Sequence, residues 1–107
     1  MAETQRPTDP RLIHLAPEDN VCAAATHLEA GQSVLFQGRP IRLADPIPTG
    51  HKVAVAPIAV GEKVLKYGAP IGSATQDIHP GQYVHTHNLK SDYLPTYTLE
   101  TSQRFGK

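Results

Sequence analysis

Apolar residues in this chain come in short runs, and almost every run is bounded by glycine, proline, asparagine or aspartate. That punctuation predicts brief strands joined by turns. The expected strands are Arg11 to Leu15, Val21 to Thr26, Ser33 to Phe36, Ile41 to Leu43, Lys52 to Ala56, Val64 to Tyr67, Pro70 to Thr75 and Gln82 to His87. Asp19 to Ala30 also fits a short helix, with an Asp/Asn cap, alanines and Gly31 at its far end, and local rules leave both descriptions open. With ten prolines and eight glycines in the chain, the expected fold class is all-β with little helix.

One string recurs: apolar-x-x-Gly-x-x-Val, at Leu28 to Val34, Ile58 to Val64 and Ile78 to Val84. Glycine reaches positive φ without steric cost, so Gly31, Gly61 and Gly81 are expected in tight turns that end one strand and lead into the next. The copies start 30 and then 20 residues apart. A fixed-period solenoid is therefore not expected, and a kinked β-fold with recurring corners is.

The 107 residues, 39% of them hydrophobic, suffice for one small core. The expected organisation is a loosely held segment 1–10, a β-domain over 11–95 and a tail at 96–107. Lys plus Arg balance Asp plus Glu at 10 each and no basic run occurs, which argues against nucleic acid as a partner. The longest apolar stretches, such as Val53 to Val60, are too short to cross a bilayer and the polar start lacks a signal-peptide core, so no membrane partner and a cytoplasmic location are expected. The single cysteine, Cys22, lies in an apolar run and reads as a small buried residue rather than a nucleophile.

The richest chemistry lies at Tyr83-Val84-His85-Thr86-His87-Asn88. On a strand over 82–87, Tyr83, His85 and His87 would share one face, a pairing that suits proton transfer, a carboxylate ligand or part of a metal site. Strand-face histidines are also often satisfied by backbone or solvent. His51 follows Gly50 at an expected loop-to-strand junction, a common place for functional side chains on a rigid sheet. Lys52 and Lys66 are candidates for holding an anionic ligand, and each also reads as a solvated charge.

Several ordered motifs carry a family resemblance: Asp19-Asn20-Val21, Ile47-Pro48-x-Gly50-His51-Lys52-Val53-Ala54, Gly61-Glu62-x-Val64-x-Lys66-Tyr67-Gly68-x-Pro70-Ile71-Gly72, and Ile78-x-x-Gly81-x-x-Val84-His85-x-His87-Asn88-Leu89. Across roughly Pro17 to Leu89 the chain resembles the N-terminal SAF domain of the altronate and galactarate dehydratase family. The resemblance implies a β-clip fold of bent β-ribbons and makes Val21 to Thr26 a strand. In the sugar-acid dehydratases this domain precedes a much larger catalytic region, whereas this chain stops soon after Leu89, so the expectation is a free-standing small subunit.

What the resemblance implies chemically is β-elimination from a hydroxy acid. A base removes the proton α to a carboxylate, a cation steadies the resulting enolate-like dianion, and an acid helps the β-hydroxyl leave. The residues expected in catalysis are His51, His85 and His87, with Lys52, Lys66 and Asn88 at the substrate. The family also implies a divalent, iron-type metal held mainly by a separately encoded large subunit; on this chain the residues themselves offer His85 and His87 as candidate ligands, only part of a coordination sphere, to which Asp92 or a partner subunit could add. The expected partners are that large subunit and a small hydroxy acid, and self-association through a free sheet edge is left open. Alternatives are the small subunit of a sulfolactate sulfo-lyase, or a non-catalytic module that binds an anionic sugar or serves assembly.

Overall fold

Alternation of small apolar residues with residues at turn boundaries produces short strands that are buried on both sides at the centre of the molecule. In a computed structural model, which describes residues 7–92, the strands are β1 (Leu12–Ile13), β2 (Val21–Ala24), β3 (Ser33–Phe36), β4 (Arg39–Arg42), β5 (Lys52–Ala54), β6 (Lys63–Lys66), β7 (Ala69–Ala74), β8 (Tyr83–Val84) and β9 (Leu89–Lys90). There is no helix among the described residues, and Val21–Ala24 is a strand, so the helical alternative for this segment does not hold. The all-β expectation is met. β9 lies outside the expected strands, and the expected strand over 82–87 stops at Val84.

The central sheet has the order β1-β2-β5-β8, antiparallel throughout. Successive side chains of its strands point to opposite faces. Cys22, Ala24 and Val53 enter one apolar cluster, under Val34 and Ile41 of the β3–β4 hairpin. Val21, Ala54 and Val84 enter a second, under Val64 and Ala74 of the β6–β7–β9 sheet. Each hairpin is thus folded over one face of the same sheet.

The two hairpins are copies of one unit. Gly31-Gln32-Ser33-Val34-Leu35-Phe36-Gln37-Gly38-Arg39-Pro40-Ile41 aligns with Gly61-Glu62-Lys63-Val64-Leu65-Lys66-Tyr67-Gly68-Ala69-Pro70-Ile71, 30 residues on. Both tips are two-residue turns with positive φ at each central residue, 49° and 80° at Gln37-Gly38 and 58° and 75° at Tyr67-Gly68. This geometry matches the right-handed twist of the flanking strands. A register shift between Val64 and Leu65 marks an extra residue in the second copy.

Each tip is also fastened. Pro7 O accepts from Gly38 N at 2.8 Å, Thr8 Oγ1 from Gln37 N at 3.1 Å, and Asp9 N donates to Leu35 O at 2.6 Å. Residues 7 to 9, expected within a loosely held segment 1–10, therefore run along the first hairpin. At the second tip the buried Asp19 carboxylate accepts from Tyr67 N at 2.9 Å and Gly68 N at 2.7 Å, and Asn20 reaches Leu65 N and Lys63 O. The Asp19-Asn20 pair, read locally as a helix cap, holds a hairpin tip instead. The tail expected at 96–107 lies outside the described residues.

Candidate active site

The glycine turn has a fourth copy, Ile47 to Val53. In all four the glycine is left-handed, with φ of 86° at Gly31, 83° at Gly50, 85° at Gly61 and 93° at Gly81. The copies bridge in pairs, Leu28 with Ile47 and Ile58 with Ile78. The Ile47 copy delivers His51 to the start of β5. Gly50 N donates to Ala24 O at 2.7 Å, and His51 O accepts from Ala24 N at 2.9 Å.

Three copies use the side chain after the glycine to complete the turn. Gln32 Oε1 accepts from Glu29 N, Glu62 Oε1 from Ala59 N, and Gln82 Oε1 from His79 N, each at 2.7 Å. In the Ile47 copy the corresponding backbone nitrogen belongs to Pro48, which has no N–H to donate. The side chain at position 51 therefore has no turn to complete. It is a histidine, and it faces elsewhere.

It faces Tyr83. The β5–β8 register pairs Val53 with Tyr83 and Lys52 with Val84, which sets His51 and Tyr83 on one face of the sheet. His51 Nδ1 lies 2.6 Å from Tyr83 Oη. Tyr83 stacks on His85, with centroids 5.4 Å apart and planes at 10°, and meets His87 at 5.7 Å. The His51 and His85 rings are 5.4 Å apart. Four rings from two segments thus form one partly exposed cluster at the edge of the first apolar core.

His85 and His87 reach this cluster by a route different from the one expected. Asn88 Oδ1 accepts from His85 N at 2.9 Å, Asn88 Nδ2 donates to Tyr83 O at 2.8 Å, and His85 O accepts from Leu89 N at 2.9 Å. These bonds curl 85–88 into a turn, so the two rings meet Tyr83 and are not neighbours on a strand. The backbone of Asn88 is tied as well, with its carbonyl accepting from Thr75 N at 2.9 Å. Only 2% exposed, Asn88 holds the turn that presents the histidines. Tyr83 itself was absent from the expected site residues; its alternation with His85 was the signal that marked it.

Lys52 and Lys66 come together on the opposite face of the central sheet from His51. Burial, and then the positive charge of Lys66, lower the pKa of Lys52 from its ordinary value. Lys66 Nζ stands 5.0 Å over the Tyr67 ring. Asp92 is held by Lys63 Nζ at 2.6 Å and Ser73 Oγ at 2.9 Å, and those two bonds keep its pKa below the usual value. Cys22 is buried and desolvation pushes its thiol up to about 12, which suits a packing role.

Among the described residues no three His, Cys, Asp or Glu side chains gather in a way that could hold a metal ion. The three imidazoles of the cluster do not converge on one point, and Nδ1 of His51 is taken up by the Tyr83 hydroxyl, so they do not supply the three or more protein ligands that a divalent metal ordinarily takes. The cluster by itself does not fit a resident iron-type metal. What it can do is donate and accept protons and hydrogen bonds at one small patch.

A sequence profile of the altronate/galactarate dehydratase SAF domain matches residues 10–92. The chain belongs to that family. The SAF chain is 34% identical over 95 residues to an altronate dehydratase of Bacillus subtilis (strain 168), a match covering 89% of this chain and 19% of that enzyme. With the altronate dehydratase of Escherichia coli (strain K12) it shares 40% identity over 74 residues, or 69% of this chain and 15% of the enzyme. It therefore spans less than a fifth of those relatives. The proportions differ for the (2R)-sulfolactate sulfo-lyase subunit alpha of Chromohalobacter salexigens, 36% identical over 86 residues, which cover 75% of this chain and 92% of that subunit. These relatives are lyases by name, and the last is one subunit of a larger enzyme. No helix among the described residues is long and apolar enough to cross a membrane.

Proposed function

We propose that this SAF chain is the small subunit of a cytoplasmic lyase that cleaves a hydroxy acid by β-elimination, with most catalytic groups on a separate large subunit. The observation that carries the reading is the ring cluster of His51, Tyr83, His85 and His87, which gathers proton-handling groups from β5 and the turn after β8. A base that takes the α-proton and a donor that meets the developing charge on the carboxylate or leaving oxygen are the two demands of the reaction, and imidazoles serve both. In this reading a divalent metal has its ligands mainly on the large subunit. Lys52 and Lys66 are proposed to meet an anionic group of the substrate or of the partner. A sugar acid such as altronate or galactarate is the substrate class favoured by the dehydratase relatives.

A second reading, a sulfolactate sulfo-lyase small subunit, is favoured by the near-complete coverage of the Chromohalobacter subunit. The test is reconstitution with the large dehydratase-type subunit and assay on altronate, galactarate and sulfolactate. Activity only in the mixture, lost on His51→Ala or His85→Ala with the domain still folded, is the expected result. A mixture inert on all three acids, or a His-substituted complex with unchanged turnover, refutes the reading.

A further inference from the structure

The strongest unassigned feature is the bond between His51 and Tyr83, because a hydrogen bond at one ring nitrogen dictates what the other can do. At 2.6 Å the Nδ1···Oη separation is at the short end for such a bond. Two arrangements satisfy it: the phenol donates to a bare Nδ1, or a protonated Nδ1 donates to the phenol oxygen. Among the described residues Tyr83 Oη has no second acceptor, so its single hydrogen has only Nδ1 to meet within the protein. The reverse arrangement leaves that hydrogen to solvent and uses a phenol oxygen whose lone pairs are delocalised into the ring.

Tyr83 is itself held in place. Its N–H donates to Asp45 Oδ2 at 3.0 Å, its carbonyl accepts from Asn88 Nδ2 at 2.8 Å, and its ring lies nearly parallel to that of His85. The hydroxyl is therefore aimed, and the imidazole it meets is free to answer because Pro48 leaves position 51 no turn to complete.

We infer that Tyr83 is a positioning residue that keeps neutral His51 in the tautomer with its proton on Nε2, so that His51 offers an N–H donor to an anionic oxygen of the ligand, a carboxylate, and is not the proton-abstracting base. Its use in catalysis rests on the lyase reading above. The base then falls to His85 or His87, whose ring nitrogens have no hydrogen-bond partner among the described residues.

The full 107-residue chain, labelled with ¹⁵N, tests this without the large subunit. Long-range ¹H–¹⁵N spectra taken with the histidines neutral should show His51 as a single tautomer, Nδ1 bare and Nε2 protonated. Tyr83→Phe, which keeps the ring and removes the hydroxyl, should shift both His51 ring nitrogens toward tautomer averaging while the backbone amide spectrum stays folded. A wild-type His51 protonated on Nδ1, or His51 nitrogens unmoved by Tyr83→Phe in a folded chain, overturns the assignment. In the reconstituted complex His51→Gln, which keeps an N–H donor and cannot act as a base, should retain more turnover than His51→Ala; equal loss in both overturns the donor role. The expected tautomer in a chain whose complex is inert on hydroxy acids supports the positioning role and refutes only the lyase reading.

Discussion

Two glycines of the repeated turn should respond very differently to alanine. Gly61 and Gly81 share nearly the same left-handed backbone, with φ of 85° and 93°, so each Ala variant bears the same local strain. Their surroundings differ. A Cβ on Gly61 meets nothing within 4 Å, whereas a Cβ on Gly81 would overlap the carbonyl oxygen of Arg42 and press on Ile41 Cγ2. The obstruction is backbone and cannot rotate away. Relief requires Gly81 to shift between the elements that hold it on both sides, straining the bond from Ala44 N, just past β4, to Gly81 O and the bond from Gly81 N to Ala54 O of β5, both 2.9 Å. Left-handed strain costs about 1–2 kcal/mol and each lost hydrogen bond about 1 kcal/mol, so Gly61→Ala should lose about 1–2 and Gly81→Ala about 3–4 kcal/mol. Urea unfolding followed by tyrosine fluorescence measures both, since the chain has four tyrosines and no tryptophan. Equal losses in the two variants would refute the claim that close approach, and not φ alone, demands glycine at position 81.

Three further outcomes are expected. Pro48→Ala combined with His51→Gln should install the turn bond that the other three copies have, and a double-mutant cycle should return a favourable coupling of about 1 kcal/mol; zero coupling would remove the explanation of why position 51 is free. Asp9 takes two hydrogen bonds from the Arg11 side chain and one from its backbone N–H, which lower its pKa from 3.8 to about 2. Because the folded pKa is the lower one, the stabilisation is present above about pH 4 and is lost as pH falls toward 2; melting temperatures of wild type and Asp9→Asn should differ at pH 6 and converge near pH 2. Cys22 should resist a thiol reagent at pH 8 in the native chain and react fully in urea, and rapid native labelling would contradict its burial.

Much of the fold was legible because its signals are local. Ser33–Phe36 was bounded correctly by its flanking polar and glycine residues, and the left-handed turns at Gly31, Gly61 and Gly81 follow from glycine's freedom at a fixed place in an apolar frame. The histidine segment misled. Alternation over 82–87 assumes an unbroken strand, and nothing in that pattern weighs the Asn88 amide, which captures His85 N and Tyr83 O and turns the chain.

The sequence by itself determined an all-β chain with glycine corners, the family to which it belongs, and the presence of histidines at 51, 85 and 87. Only the tertiary structure decided which of these act together. His51 and Tyr83 are 32 residues apart and meet because β5 and β8 pair in one register, while Lys52, adjacent to His51, is turned to the opposite face by the pleat. The physical reason is that side-chain direction in a strand is local, but which strand stands alongside is set by burying two apolar clusters on opposite faces of one sheet.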